Sequence, residues 1–192
     1  MARRTEAEVD RDLVERARHG DRDAFANLVH QASDGLYAVA FRILRDTGLA
    51  EDALQNALVT AWRQISHLRD PELFDAWMYR VLVNACYVEV RRNRRWAVNV
   101  RALPDHDEPS TPDASRISAD RDELERAFRK LPVDQRSVFI LHHYAGLPLV
   151  EVAESLGIPA GTARSRLHYA TRALRSAVEA DRVTPVEEGR LA

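Results

Sequence analysis

Apolar residues recur three and four positions apart along nearly the whole chain, and the apolar–polar alternation typical of strands is rare. This spacing places apolar side chains on one face of an α-helix, so it predicts amphipathic helices throughout. Hydrophobic residues make up 45% of the 192 residues, which is typical of a folded globular protein and argues against a disordered chain. The predicted fold class is therefore all-α.

The helical pattern is interrupted once, by a proline-rich acidic segment. Between Pro104 and Glu125 there are eight acidic residues against Arg116 and Arg121, with little apolar periodicity. This composition predicts a flexible acidic linker between two small helical domains. The predicted organisation is a first domain over 9–96, a linker over 97–118, a second domain over 119–180 and a flexible tail over 181–192.

Breaks in the periodicity predict where the individual helices begin and end. Asp21 is expected to cap the second helix, because its side chain can accept hydrogen bonds from the first free backbone amides. The helices of the first domain are predicted over 9–18, 21–44, 49–65 and 72–95. A further helix is predicted over 133–144, with Pro132 in its first turn, where the missing N–H costs nothing.

Composition also limits the classes of function. The net charge is −2 and the isoelectric point is about 6.4, so the overall charge does not indicate nucleic acid. Cys86 is the only cysteine, which excludes an intrachain disulfide and a cysteine-based metal cluster. Among apolar neighbours at mid-helix, Cys86 is expected to be a small buried hydrophobe rather than a redox sensor.

No arrangement of residues indicates catalysis. The histidines lack metal-ligand spacing, and neither a nucleophile–base pair nor a phosphate-binding loop is present. No segment resembles a signal peptide or a membrane span. We therefore expect no cofactor, no metal, no enzymatic activity, no membrane insertion and a cytoplasmic location.

Residues 147–175 have the layout of a helix-turn-helix, with two helices joined by a tight turn at Gly157. Glycine suits the left-handed conformation that ends a helix. Pro148 stands where a hydroxyl cap would be usual, so the cap hydrogen bond must come from elsewhere. The apolar residues that follow the helical period are expected to pack inward, namely Val150, Ala153, Leu156, Ala163, Leu167, Ala170 and Leu174.

Hydrogen-bond donors remain on the opposite face of the second helix, at Thr162, Arg164, Ser165, Arg166 and His168. Arginine pairs with guanine edges or with phosphates, and serine and threonine suit either. The pattern therefore predicts a helix that reads DNA in the major groove. The alternative is a plain helical hairpin with a solvated arginine face.

The fourth predicted helix combines aromatic and basic residues. Stacking and phosphate contacts to unpaired bases are offered by Trp77, Arg80, Asn84, Tyr87, Arg91 and Arg92. For Trp77, a place in the core is the better interpretation, and for Arg80 and Asn84 structure and function are equally supported. The arginines at the helix end also suit the helix dipole, which is a structural explanation.

The third predicted helix carries a mixed polar face with a tryptophan. Its members are Glu51, Asp52, Gln55, Asn56, Trp62 and Arg63. An exposed tryptophan among acids is typical of a docking surface for a partner helix, and a solvated amphipathic face is an equally good interpretation.

Two runs of the chain, in this order, resemble the extracytoplasmic-function (ECF) sigma factors of the sigma-70 family. The run AEDALQNALVTAWRQISHLRDPELFDAWMYRVLVNACYVEVRR resembles their region 2, and the run LPVDQRSVFILHHYAGLPLVEVAESLGIPAGTARSRLHYATRALR resembles their region 4. The resemblance implies a promoter-specificity subunit of bacterial RNA polymerase. The face on the third helix would dock on the clamp helices of the largest subunit, and many members are held inactive by an anti-sigma factor.

The resemblance also implies a division of labour on promoter DNA. The loop over 66–74 and the fourth helix would melt and capture the minus-10 element, and the donors after Gly157 would read the minus-35 element as duplex. The acidic linker would lie in the RNA exit path of the polymerase. An inert solubilising spacer explains the composition of the linker equally well.

The chain departs from the family pattern at three places. Gln55-Asn56 stands where Gln-Glu is frequent, and Val88 stands beside Glu89 where an aspartate is common. The run 163–167 reads Ala-Arg-Ser-Arg-Leu where Val-Lys-Ser-Arg-Leu is frequent, and arginine offers a fork that lysine does not. Two other functions fit the residues alone: a helix-turn-helix regulator that acts without core polymerase, and a helical adaptor that binds no DNA.

Overall fold

The computed structural model describes residues 11–99 and 124–183. Every regular element within these two stretches is helical, which confirms the all-α prediction. The first stretch contains α1 (Arg11–Arg18), α2 (Arg22–Leu44), α3 (Thr47–Gln64), short 3-10 turns at Ile65–His67 and Pro71–Leu73, and α4 (Phe74–Asn99). The second contains α5 (124–130), α6 (Val133–His143), α7 (Leu149–Leu156) and α8 (Ala160–Val183).

Side-chain caps set the beginnings of α2 and α3. The Asp21 carboxylate accepts from the backbone amides of Asp23 and Ala24, both at 3.0 Å, as predicted. Asp46 accepts from the amide of Leu49 at 2.8 Å. Because Asp46 is the cap, α3 begins at residue 47 instead of the predicted 49.

An alanine stripe along α3 allows this helix to lie close against its neighbours. Its members, all fully buried, are Ala50, Ala53, Ala57 and Ala61. Residues at this spacing share one helix face, and small side chains let helix axes approach closely. α3 packs between α2 and α4 in this unit, so its opposite, polar face is held in a fixed position.

In the second unit, a buried arginine closes the end of α5. The Arg136 guanidinium donates to the carbonyl oxygen of Leu131 at 3.0 Å and lies 3.5 Å from that of Arg129. These carbonyls stand at a helix end, where acceptors lack partners within the helix. Burial, together with the nearby Arg45, lowers the pKa of Arg136 to about 10, so it stays charged at neutral pH.

The two units pack against each other, with α6 and α7 lying on α2 and α4. Buried residues of both units belong to one continuous hydrophobic cluster. The Arg42 guanidinium lies 3.8 Å from the centre of the Tyr144 ring, and the Ser155 hydroxyl donates to the Ala76 carbonyl at 3.4 Å. Arg45 also forms an ion pair with Glu125.

The predicted boundaries between the units are only partly within the described residues. α4 continues to Asn99, so residues 97–99 of the predicted linker are helical, and the rest of the linker lies outside the described residues. Residues 9 and 10 of the first predicted helix also lie outside them. α8 ends at Val183, so residues 181–183 of the predicted flexible tail are helical, and the rest of the tail lies outside the described residues.

Candidate nucleic-acid and polymerase interface

The predicted helix-turn-helix is confirmed in its backbone geometry. Gly157 adopts φ 63° and ψ 36°, and its amide donates to the carbonyl of Glu154 at 3.1 Å. The amide of Ile158 donates to the carbonyl of Ala153 at 3.0 Å, which completes the hydrogen bonding expected after a left-handed helix end. Pro148 provides no side-chain cap, as expected.

The inward face of the helix-turn-helix is as predicted except at one position. Ala163, Ala170 and Leu174 are buried. Val150, predicted to pack inward, is 61% exposed. The buried residues of α7 are Val152, Ala153 and Ser155. Successive helical residues are rotated by about 100°, so Val150 points away from the centre of the face that these three define.

The donors on α8 fall into two groups. Arg164, Ser165 and His168 are exposed, and Thr162 is half-buried. Arg166 is half-buried as well, and its Nε lies 3.1 Å from the Asp134 carboxylate on α6. The exposed donors are therefore available to DNA, whereas Arg166 is engaged within its own unit.

Two residues that sequence reasoning missed extend this surface. Tyr169 is 56% exposed, with its ring edge-on to His168 at 5.8 Å between ring centres, and Arg172 is exposed as well. Arg172 follows Ser165 and His168 at helical spacing, so the period could have found it. An exposed tyrosine on such a helix offers apolar contact and a hydroxyl together.

On α4, some of the residues predicted to bind DNA are exposed and others are buried. Arg80, Asn84, Arg91 and Arg92 are exposed. Trp77 is 9% exposed and its ring lies 6.0 Å from that of Phe74, so it occupies the core. A place in the core is what the residue pattern favoured for Trp77, and a base can reach this indole only after the core moves.

Tyr87 lies between the two units. It is half-buried, and burial raises the pKa of its hydroxyl, with Ser137 and Arg166 of the second unit offsetting part of this effect. A tyrosine in this position stacks on a base only after α6 has moved away from α4.

On α3, the predicted docking face is mainly exposed. Glu51, Gln55, Asn56 and Arg63 are exposed and Asp52 is half-buried. Trp62, expected to be exposed, is half-buried, and its ring lies 5.1 Å from that of Phe25 on α2. The indole therefore presents only part of its surface to a partner.

A buried carboxylate joins α3 to α4. Glu89 is 1% exposed, and its Oε1 accepts from Asn56 Nδ2 at 2.9 Å. Its Oε2 lies 3.3 Å from Arg92 Nε in an ion pair that lacks hydrogen-bond geometry. Arg92 also donates to the Asp52 carboxylate at 3.0 Å. Sequence reasoning noted Glu89 only as a neighbour of Val88, although its spacing from buried Leu82 and Cys86 indicates an inward position.

The described part of the chain shows neither of two other kinds of site. Within it, no three histidine, cysteine or acidic side chains are grouped as metal ligands would be. None of its helices combines the length and apolarity that crossing a bilayer requires.

Comparison with known proteins agrees with this geometry. Residues 28–96 match the Sigma-70 region 2 family and residues 121–174 match the Sigma-70, region 4 family. The chain is 34% identical over 161 residues to the RNA polymerase sigma-E factor of Streptomyces avermitilis, covering 84% of this chain and 88% of the relative. It is 35% identical over 144 residues to the ECF RNA polymerase sigma factor SigL of Mycobacterium tuberculosis, covering 73% and 80%.

The chain belongs to the sigma-70 family, in its extracytoplasmic-function branch, and is a sigma subunit of RNA polymerase. Among solved structures, its fold is similar to that of the sigma factor RpoE of Bartonella quintana, solved in complex with the anti-sigma factor NepR. The TM-score is 0.64 at 22% identity, over 82% of this chain and 98% of that one. The resemblance to this family inferred from the sequence is confirmed.

Proposed function

We propose that this sigma factor holds a promoter with two separate surfaces. The exposed donors of α8 bind the minus-35 element as duplex, and the polar face of α4 captures the melted minus-10 element. The observation that carries the proposal is the exposed stripe of Arg164, Ser165 and His168 directly after the left-handed turn at Gly157. Side chains in the first turns of such a second helix reach base edges in the major groove.

The α4 surface supports the second part of the proposal. Arg80, Asn84, Arg91 and Arg92 expose cationic and amide groups along one helix. These groups suit the phosphates and base edges of a separated strand. Trp77 supports this surface from within the core, and Tyr87 joins it when α6 moves away from α4.

The docking role belongs to α3 in this proposal. Its face of Glu51, Asp52, Gln55, Asn56 and Arg63 is fixed by the alanine stripe behind it, and it suits a basic helical partner such as the clamp helices of the polymerase. We further propose that the protein acts in the cytoplasm, has no enzymatic activity of its own, and is controlled by an anti-sigma factor, as the solved relative is bound to one.

In vitro transcription with core RNA polymerase on a genomic fragment library tests the proposal. We expect transcription from a defined promoter set only when the protein is added. Arg164→Ala should lower it about tenfold, because one base contact contributes on the order of 1–3 kcal/mol. Arg22→Ala, which removes an exposed arginine from α2, is the matched control and should change it little.

Two results would contradict the proposal. Equal transcription with and without the protein would reject the sigma role itself. Full activity of Arg164→Ala on every promoter would reject the assignment of the minus-35 surface to α8.

A further inference from the structure

A buried carboxylate lies where the proposed docking face and the proposed DNA face meet. Glu89 is 1% exposed, beside the fully buried Cys86. Carboxylates are rarely buried to this degree unless they are paired, because an unpaired buried charge is strongly destabilising. The stability of the buried Glu89 carboxylate therefore depends on its two partners, Asn56 on α3 and Arg92 on α4.

The two oxygens of Glu89 face residues of two different surfaces. Oε1 accepts from Asn56 on α3, at 2.9 Å, and Oε2 lies 3.3 Å from the guanidinium of Arg92 on α4. Asn56 belongs to the docking face and Arg92 to the DNA face. The Glu89 side chain thus contacts both surfaces from the buried interface between α3 and α4.

Arg92 is held from the outer side as well. Its Nη2 donates to the Asp52 carboxylate at 3.0 Å, and both side chains are about half exposed. The guanidinium therefore lies between a buried carboxylate and one on the docking face. While both carboxylates hold the guanidinium, a phosphate competes with two anions for the same cationic group.

We propose that Glu89 is a positioning residue that couples docking on α3 to DNA binding by α4. This inference rests on the proposed function. In the free protein, Glu89 orients Arg92 toward Asp52. A basic partner that engages Asp52 removes the outer anion, and Arg92 then turns toward a phosphate of the DNA. Because coupling between binding sites is reciprocal, DNA bound at Arg92 strengthens docking at Asp52 by the same factor.

The first step of the proposal is that loss of the Asp52 anion frees Arg92 to bind a phosphate. It is tested with the free full-length protein and a fluorescein-labelled single strand of DNA, twelve nucleotides long, as the probe. Affinity is measured by fluorescence anisotropy over a series of salt concentrations. We expect Asp52→Asn to bind up to about five-fold more tightly, the range of an exposed ion pair. The salt dependence should steepen by about 0.7 in log–log slope, as one more phosphate is contacted.

Controls separate this effect from a general loss of negative charge. Asp34→Asn removes an exposed carboxylate from α2 and should leave both the affinity and the slope nearly unchanged. In an Arg92→Gln background, Asp52→Asn should no longer increase affinity. An equal gain in Asp34→Asn, or a gain that persists without Arg92, would overturn the proposal.

Glu89→Gln tests the positioning role directly. Glutamine keeps the acceptor for Asn56 and removes the charge that orients Arg92. The energetic coupling between Asp52 and Arg92, from a double-mutant cycle in DNA binding, should fall toward zero in this background. A residue that only stabilises the interface between α3 and α4 would lower thermal stability and leave the coupling intact, which would overturn the positioning role. If Glu89→Gln does not fold, the Asp52–Arg92 cycle in the parent protein still decides the first step.

A pull-down with core polymerase distinguishes this inference from the proposed function. If the parent protein binds core but Asp52 and Arg92 are not coupled, only the inference fails. If it does not bind core, the docking assignment fails whatever the DNA measurements show.

Discussion

At the scale of single residues, two arginines on α8 that look equivalent in the sequence have different environments. Arg164 is exposed, and Arg166 is paired with Asp134 at 3.1 Å. The run Arg-Ser-Arg cannot reveal this difference, because the partner lies on α6, about thirty positions earlier in the chain.

This difference predicts separate effects on stability. Arg166→Ala should lower the free energy of unfolding by about 0.5–1 kcal/mol through loss of the pair, and Arg164→Ala should not. Urea denaturation of both variants, together with Asp134→Ala and the double variant, checks this expectation. Additive effects of Arg166→Ala and Asp134→Ala would show that the pair contributes nothing to stability.

Cys86 has a chemical environment that suppresses its reactivity. Burial raises the pKa of its thiol to about 12 from an ordinary value of 9.0. The reactive thiolate is therefore almost absent at neutral pH, which supports the interpretation of Cys86 as a buried hydrophobe and not a redox sensor. A thiol reagent should label the native protein very slowly and the urea-unfolded protein rapidly.

The same pKa shift predicts how stability depends on alkaline pH. Above about pH 9 the unfolded chain releases the Cys86 proton and the folded protein retains it, so the unfolded state binds fewer protons and stability falls. From pH 8 to pH 10 this one group should lower the unfolding free energy by about 1.4 kcal/mol. Cys86→Ala should reduce the slope over this interval, and an identical slope in both proteins would contradict the assignment.

Much of the candidate site could be predicted at this scale, because charge and helical period identify exposed donors. The exposed positions of Arg80, Arg164 and His168 follow from those two signals alone. Glu89 could not be found in the same way, since a glutamate is ordinarily exposed. Its burial depends on partners supplied by both α3 and α4, which local patterns do not reveal.

At the scale of the element, backbone chemistry decides the geometry of the helix-turn-helix. Gly157 has φ 63°, and a side chain there would meet no atom within 4 Å. Gly157→Ala should therefore destabilise the protein only through backbone strain, by about 1–2 kcal/mol.

Gly161 supplies a matched control for this substitution. It lies in the first turn of α8 with equal space around it and without a positive φ. Gly161→Ala should raise stability by up to about 1 kcal/mol, since alanine loses less entropy in a helix. Thermal unfolding compares the two variants, and equal shifts would mean that the left-handed turn does not matter.

Helix positions were predictable where caps and period agree. Asp21 begins α2 as expected, and Gly157 ends α7. The start of α3 was predicted two residues late, because Gly48 resembles a break when the cap at Asp46 is overlooked. Val150 was misplaced because α7 is short, and its buried face depends on the elements packed against it.

At the scale of the whole molecule, the contact between the two units was not predicted. The sequence indicated two domains on a linker, whereas the structure joins buried residues of α6 and α7 to the core of the first unit in one cluster. The side chains that meet there, Tyr144 and Ser155 among them, resemble ordinary members of an amphipathic helix. Only their arrangement in space shows that they face the other unit.

A charge placed at this contact should separate the units. Ser155 is nearly buried, with its hydroxyl 3.4 Å from the Ala76 carbonyl. Ser155→Glu would place an anion against that acceptor, so we expect a larger radius of gyration in small-angle X-ray scattering with unchanged helical circular dichroism. Glu154→Gln, at an exposed position of the same helix, is the control. Identical scattering from the parent and Ser155→Glu would contradict a closed arrangement in solution.

The closed packing of the two units also affects the protein concentration needed to occupy a promoter. In the proposed function, Tyr87 can stack on DNA only when the units separate. Only the open fraction of molecules would then be competent to bind, and the apparent dissociation constant would rise by the inverse of that fraction. At an open fraction of about one in ten, roughly ten times more protein is required for the same promoter occupancy. Residues such as Tyr144, which touch no DNA in the proposed function, would thereby set the copy number at which this sigma factor begins to act.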